Sequence, residues 1–293
     1  MRSVLITGGS GSLGRAIVRR LLTEDKPERI IVFSRGEHAQ ADMARECAPL
    51  DPDGRLRFFI GDVRERDRLR RAFEGVEVVI HAAALKRIEV GAYNPTEMVR
   101  TNVFGAMNVI EAAMDAHVER VVFTSSDKAH QPVSPYGQSK ALAESLFLNA
   151  NNMRGAKGPI FSATRYGNVA NSRGSVIPTW RRILETSDTV PVTDPACTRF
   201  YMEMSEAVDL VLSTAINMKG GELNIPTLPA YRLGDLAEAM GAKMRITGLP
   251  SFEKLNESMS EGNSSDKAER MTVPVLRHRL HEMFAEPGLS VAA

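Results

Sequence analysis

The chain has 293 residues, 43% hydrophobic and 25% charged, which is an ordinary globular composition with room for a large α/β core and a second lobe. Its net charge is +1, so the overall balance gives no case for binding nucleic acid. Two cysteines, Cys47 and Cys197, supply neither metal-ligand spacing nor a disulfide framework, as expected in a reducing cytoplasm. Met1 runs directly into an apolar strand, so no signal peptide is expected, and no apolar run approaches the roughly 20 residues of a membrane span.

Apolar, β-branched runs alternate with helix-period segments along the first half. Strands are expected at Ser3–Thr7, Arg29–Phe33, Arg57–Ile60, Val76–His81, Arg120–Thr124 and Ile160–Arg165, with helices between them, among them Arg15–Leu22 and Thr96–Ala116. This rhythm predicts a parallel sheet covered on both faces, an α/β, Rossmann-type doubly wound fold. Arg64, Arg66, Arg68, Arg70 and Arg71 are interleaved with Glu65 and Asp67 and read as a solvated helix face. After about Gly167 the segments shorten and prolines become frequent. We read residues 1–166 as the dinucleotide-binding domain and 167–293 as a smaller C-terminal substrate-binding lobe interleaved with it. Part of 205–226 returns to the first domain, through a helix at Ser205–Met218. Glu261–Asp266 reads as a polar loop and Glu286–Ala293 as a loose tail.

The first strand runs into Thr7-Gly8-Gly9-Ser10-Gly11-Ser12-Leu13-Gly14 and then a helix. Glycines at 8, 11 and 14 allow a tight turn, close approach of backbone to a pyrophosphate, and close helix–strand packing. The helix N-terminus adds N–H groups and a positive dipole end. Thr7, Gly8, Ser10, Gly11, Ser12 and Leu13 are therefore candidate cofactor contacts. An NAD site usually has an acidic residue at the end of the second strand. Here the chain reads Phe33-Ser34-Arg35-Gly36-Glu37. Ser34 and Arg35 suit a 2′-phosphate, with Arg15 as a possible helper, so NADP is favoured; Glu37 keeps NAD open. Asp62 and Val63 follow the third strand, where a carboxylate can meet the adenine amino group. Ala82, Ala83 and Ala84 offer small-residue backbone beside a ribose.

Ser125-Ser126-Asp127-Lys128 and Tyr136-Gly137-Gln138-Ser139-Lys140 carry the chemistry. Tyr136 and Lys140 share a helix face. The lysine charge favours the phenolate, drawing a pKa of about 10 toward neutrality. Oxidising an alcohol needs only this pair, whereas Asp127 and Lys128 suggest a further step. The six histidines form no ligand set, so no metal is expected.

TGGSGSLG, Asp62-Val63, HAAA, Asn102, the Ser-Ser run and Y-x-x-x-K resemble the extended short-chain dehydrogenase/reductases, which act largely on nucleotide-linked sugars. More narrowly, AAALKRIEVGAYNPTEMVRTNVFGAMNVIEAA, SSDKA, RYGNVANSRGSVIP and TDPACTRFYM are similar to the inverting UDP-N-acetylglucosamine 4,6-dehydratases of bacterial surface-sugar pathways. The resemblance implies a recycled, tightly bound NADP and a UDP-sugar substrate. Tyr136 would take the O4 proton, with Lys140 holding the phenolate. Lys128 would be the C5 base and Asp127 the acid at O6, with Ser126 bonding the substrate. Retaining relatives carry Asp-Glu in place of Asp127-Lys128. Lys86 would border the active site, and Asn102 would be a structural anchor. Asn168, Arg173, Arg199 and Glu253 would contact the sugar nucleotide. Glu253-Lys254-Leu255-Asn256-Glu257 resembles the family's R-P-G-E-K-L-H-E, but Leu249-Pro250-Ser251-Phe252 precedes it here, without the arginine and glycine. The resemblance also implies a cytoplasmic homo-oligomer, dimer or hexamer, assembled through helices such as Thr96–Ala116 and Gly137–Ala150, with no nucleic acid or membrane partner. Two other readings stay open: a sugar-nucleotide 4- or 5-epimerase, for which Asp127 and Lys128 would be spectators, and a non-catalytic dinucleotide sensor.

Overall fold

The computed structural model describes residues 1–285; the expectation of a loose tail at Glu286–Ala293 lies outside the described residues. The chain forms two compact units. The first comprises Met1–Arg165 with Ser205–Ile225. The second comprises Tyr166–Met204 and the described residues from Pro226 onward.

The first unit begins with β1 (Ser3–Thr7), α1 (Ser12–Arg20), β2 (Arg29–Ser34), α2 (Glu37–Cys47), β3 (Leu56–Ile60), α3 (Arg66–Phe73) and β4 (Val78–His81). There follow α4 (Ile88–Tyr93), α5 (Pro95–Met98), α6 (Gly105–Asp115), β5 (Arg120–Thr124), α7 (Pro135–Asn149) and β6 (Ile160–Thr164). The second unit supplies α8 (Val176–Leu184), β7 (Thr189–Val192) and β8 (Thr198–Phe200). The chain then returns to the first through α9 (Met204–Asn217) and β9 (Leu223–Asn224). The seven-stranded sheet has the order β3-β2-β1-β4-β5-β6-β9, and every pairing in it is parallel. The order reverses between β1 and β4, the switch point of a doubly wound fold. Every residue of β1 and β4 is buried, which is why these strands read as unbroken apolar runs.

Local sequence explains the elements that matter most. α7 starts where Ser134 Oγ accepts the Gly137 N–H at 3.1 Å, with Pro135 in the first turn; both residues suit a helix start. The expected helix Thr96–Ala116 is helical from Pro95 to Asp115, and between α5 and α6 it widens into a π-helical stretch, Val99–Phe104. Asn102 stands in that stretch. Its Oδ1 accepts the Leu85 N–H at 2.8 Å, and its Nδ2 donates to Leu85 O and Ser139 Oγ, each at 2.9 Å. It thereby ties the segment after β4 to α7. The arginine run is the solvated face that its sequence implies, with Arg64, Arg66, Arg70 and Arg71 exposed, and it also makes surface ion pairs. Arg64 bonds Asp62 and Glu97, Arg66 meets Glu111 and Asp115, and Arg68 lies over the Phe59 ring.

The second unit continues through β10 (Ala230–Arg232), α10 (Leu233–Ala239), β11 (Lys243–Ile246), β12 (Ser258–Ser260), β13 (Asn263–Ser264) and α11 (Val273–Ala285). Its core includes Trp180, Val190, Tyr201, Tyr231 and Leu236. The polar run at Glu261–Asp266 is structured: β12 and β13 pair as a hairpin, and the buried Ser265 hydroxyl meets Thr198 Oγ1 at 2.6 Å.

In the first unit Arg165 Nε donates to Glu144 Oε2 at 3.0 Å, with both side chains nearly buried. Glu144→Leu should therefore lower stability by about 3–5 kcal/mol, because it leaves a buried cation uncompensated. Glu144→Leu/Arg165→Met should recover much of that loss. Urea denaturation of the two variants checks this.

Candidate active site

The carboxyl ends of four strands stand side by side. Thr7 pairs in register with Phe33 and His81, and His81 with Phe123. Open α/β sheets bind ligands outside this edge. Gly8 has φ +68°, and a Cβ on it would come within 2.8 Å of the Ala83 backbone. A Cβ on Gly14 would come within 2.5 Å of Gly9. The loop and the alanines after β4 thus interlock only because Cβ atoms are absent. α1 starts without a side-chain cap, as suits a helix that receives a phosphate. Thr7 Oγ1 bonds His81 Nδ1 at 2.7 Å and accepts the Ala83 N–H at 3.3 Å. The backbone close to the alanines is therefore anchored to β1. These features fit a dinucleotide: Thr7, Gly8, Ser10, Gly11, Ser12, Leu13, Ala82, Ala83 and Ala84 border one cradle.

The corner beyond β2 differs in part from expectation. Arg15, the expected helper for a 2′-phosphate, is engaged by protein groups. Its Nε donates to Ser10 O at 3.0 Å, one terminal nitrogen donates to Ala39 O at 2.9 Å, and the other to Glu46 at 2.7 Å. Arg35 is exposed and lies 3.7 Å from Asp62. Asp62 is held mainly by Arg64, whose Nε and NH2 donate to it at 2.9 and 2.7 Å. Burial alone would raise the Asp62 pKa; hydrogen bonds from Arg64 and the charges of Arg64 and Arg35 outweigh it, so the pKa lies below its ordinary value. Val63 is buried, and a Cβ on Gly105 would press on its side chain.

The chemical residues converge after β5. A 3₁₀ turn, Asp127–Ala129, is capped by Ser126, whose Oγ accepts the Lys128 N–H at 3.3 Å. The same hydroxyl donates to Asp127 Oδ1 at 2.8 Å, and Lys128 Nζ donates to that oxygen at 3.2 Å. Asp127 is buried at 1% exposure. A Cβ on Gly137 would lie 2.4 Å from Lys128 O, so this glycine lets α7 close onto the turn and brings Tyr136 beside it. Lys86 joins the group: burial first, and the Lys128 charge second, lower its pKa, although part of the residue stays exposed.

Lys140 is buried. Its Nζ donates to Thr124 O at 2.5 Å and sits 4.0 Å from the Phe123 ring centroid. Burial pushes its pKa down to about 7, with Glu144 opposing. His81 is fully enclosed, and burial, then the Lys140 charge, push its pKa to about 3. It is a neutral imidazole. Among the described residues no group of three His, Cys, Asp or Glu could hold a metal, and no helix is long and apolar enough to cross a membrane.

Four candidates belong to the second unit. Asn168 accepts the Met202 N–H through its backbone carbonyl at 3.2 Å. Arg173 is exposed. Arg199 is buried and paired with Glu253 at 2.5 Å, so two residues expected to meet a nucleotide separately meet each other. Burial works against the Arg199 charge, but Glu257 and Glu253 hold its pKa above the ordinary value.

Sequence reasoning passed over Gly137, His81 and Gln40. Gly137 lies inside the Y-x-x-x-K motif, and the turn it packs against was the available signal. His81 showed in the sequence as a strand end, the first residue of HAAA and one of six histidines that form no ligand set. Gln40 is an ordinary helix residue until the fold buries it.

The Lys140 pKa has a stability consequence. Below about pH 7 the group is charged in both folded and unfolded chains. Between about 7 and the unfolded value of about 10.4, the unfolded chain keeps a proton that the folded one has lost. Stability therefore rises with pH across that window. Any thermal-stability advantage of Lys140→Met over the parent should shrink from pH 6 to pH 9. A gap that stays constant would show that Lys140 titrates normally.

Comparison with known proteins follows this geometry closely. A UDP-N-acetylglucosamine 4,6-dehydratase (inverting) of Campylobacter jejuni is 42% identical over 268 residues, covering 90% of this chain and 79% of that protein. A UDP-glucose 4-epimerase of Rickettsia felis is 38% identical over 277 residues, covering 92% and 80%. The X-ray structure of Pen from Bacillus thuringiensis superposes with a TM-score of 0.92 at 33% identity, covering 96% of this chain and 97% of that one. The family described as polysaccharide biosynthesis protein matches residues 4–276. The chain belongs to that family and has the fold of the extended short-chain dehydrogenase/reductases.

Proposed function

We propose that this chain is a UDP-N-acetylglucosamine 4,6-dehydratase (5-inverting) that uses NADP. The observation that carries this reading is the Ser126–Asp127–Lys128 turn, packed through Gly137 against the helix that bears Tyr136 and Lys140. The relatives named for this reaction, at 42% and 41% identity over nine-tenths of the chain, support it.

The cradle of Thr7, Gly8, Ser10, Gly11, Ser12 and Leu13, with Ser34, Arg35, Asp62, Val63, Ala82, Ala83 and Ala84, would hold the dinucleotide, together with Tyr136 and Lys140. When bound, that group would supply the hydride acceptor for sugar C4 and the hydride donor for C6. Tyr136 acts as the phenolate, held in that form by the Lys140 charge, and becomes a neutral phenol when it takes the O4 proton. The 4-ketone acidifies C5–H. Lys128 must then be a neutral amine and Asp127 a carboxylic acid. Moving one proton along their 3.2 Å contact creates both forms at once. Lys86 assists, because repulsion between two ammonium groups disfavours both being charged. Lys128 takes the C5 proton and Asp127 protonates the departing O6. Reprotonation of C5 from the opposite face inverts that centre. Ser126 fixes Asp127 and offers its oxygen to the substrate. Lys86, Asn168, Arg173, Arg199 and Glu253 would bind the UDP-sugar. The protein would act in the cytoplasm as a homo-oligomer, a dimer or hexamer.

The similarity to UDP-glucose 4-epimerases supports a second reading, in which Tyr136 and Lys140 act alone. Turnover of UDP-N-acetylglucosamine in deuterated water, followed by NMR, separates the two. A 4-keto-6-deoxy product with deuterium at C5 and the L-arabino configuration is expected; a galacto product would establish epimerisation instead. Lys128→Ala should lower elimination by about 10²–10⁴-fold while reduced cofactor still forms, and an unimpaired rate would remove Lys128 as the base.

Gly137→Ala should act on the same step through geometry. The added methyl forces α7 off the Lys128 carbonyl. Overpacking of this kind costs about 1–3 kcal/mol, and a shift of about 1 Å can cost about 10²-fold in rate. Thermal denaturation and kcat on the one variant measure both effects.

A further inference from the structure

β2 ends at Ser34, and α2 brings Gln40 back against it. Gln40 is 4% exposed. Its Nε2 has two N–H groups for three acceptors, Phe59 O at 2.9 Å, Ser34 O at 3.0 Å and Ser34 Oγ at 2.9 Å, so one N–H is shared. The two carbonyls fix the amide's orientation, because turning it over would set its oxygen against two other acceptors. An amide nitrogen can only donate, so Ser34 Oγ is the acceptor in this contact. The Ser10 hydroxyl donates to the same oxygen at 3.0 Å. Ser34 Oγ thus faces a shared Gln40 N–H and the Ser10 hydroxyl as donors, and its own proton points to an acceptor outside this set.

That requirement bears on cofactor choice. The end of the second strand is where dinucleotide folds meet the adenosine ribose. An acidic residue there accepts hydrogen bonds from ribose hydroxyls, which suits NAD. A hydroxyl constrained to donate suits a group that only accepts, and a 2′-phosphate is such a group. The exposed Arg35 guanidinium next in sequence adds positive charge. We infer that Gln40 is a specificity-positioning residue, which, with Ser10, holds the Ser34 hydroxyl as an obligate donor toward the 2′-phosphate of NADP. The inference rests on the NADP reading above and adds the residue that enforces it.

Calorimetric titration of the full-length protein with adenosine 2′,5′-bisphosphate and with adenosine 5′-monophosphate tests it without turnover. The parent should prefer the bisphosphate. Gln40→Met should reduce that preference about tenfold, the effect of one charge-assisted hydrogen bond, and leave monophosphate affinity nearly unchanged. Ser34→Ala should reduce it similarly, and Gln40→Met/Ser34→Ala no further. A parent without preference overturns the NADP reading and the inference together. A parent with preference, and a Gln40→Met protein that loses affinity equally for both probes or for neither, overturns the inference alone. Should Gln40→Met fail to fold, Ser10→Ala decides: it removes the other donor to Ser34 Oγ, so the preference should again fall, and an unchanged preference overturns the inference.

Discussion

The catalytic edge depends on burying one ammonium group. Lys140 lies between the Thr124 carbonyl and the Phe123 ring, and that position fixes α7 against the end of β5. Burial draws its pKa to about 7, so it can carry charge when a phenolate develops nearby without being strongly held as a cation. The Arg165–Glu144 pair, on the next turn of the helix, secures the other side and adds a carboxylate that partly offsets the desolvation. His81 stays neutral because the same burial and the same cation act on it. A neutral imidazole can bond Thr7 and support the post-β4 backbone without adding a charge.

With α7 held there, the positions of Asp127 and Lys128 follow from close backbone packing. Gly137 admits the Lys128 carbonyl, and Ser126 both caps the 3₁₀ turn and orients Asp127. Asp127 and Lys128 share one short contact. Asn102 anchors Leu85, next to Lys86, to Ser139 on α7. Its placement in a widened helical stretch fits the tendency of π-bulges to occur at functional sites. The cofactor corner is built in the same way: side chains that touch nothing reactive, Arg15 and Gln40, set the positions of Ser10 and Ser34.

The sequence by itself determined the strand order's raw material, the glycine loop and the identity of the chemical groups. Short apolar, β-branched runs alternating with helix-period segments mark strands buried on both faces, glycines at 8, 11 and 14 mark backbone approach, and Tyr136 and Lys140 share a helix face by spacing alone. Tertiary structure decided what those groups are free to do. Arg15, Arg64 and Arg199 look alike as letters, yet Ala39 O, Glu97 and Glu253, all distant in sequence, claim part of each. Gln40 and His81 became informative only when burial removed water and left their hydrogen bonds to be counted. The physical reason is general: backbone pattern is encoded locally by sterics and hydrophobicity, whereas charge state and hydrogen-bond direction depend on partners that only the fold brings together.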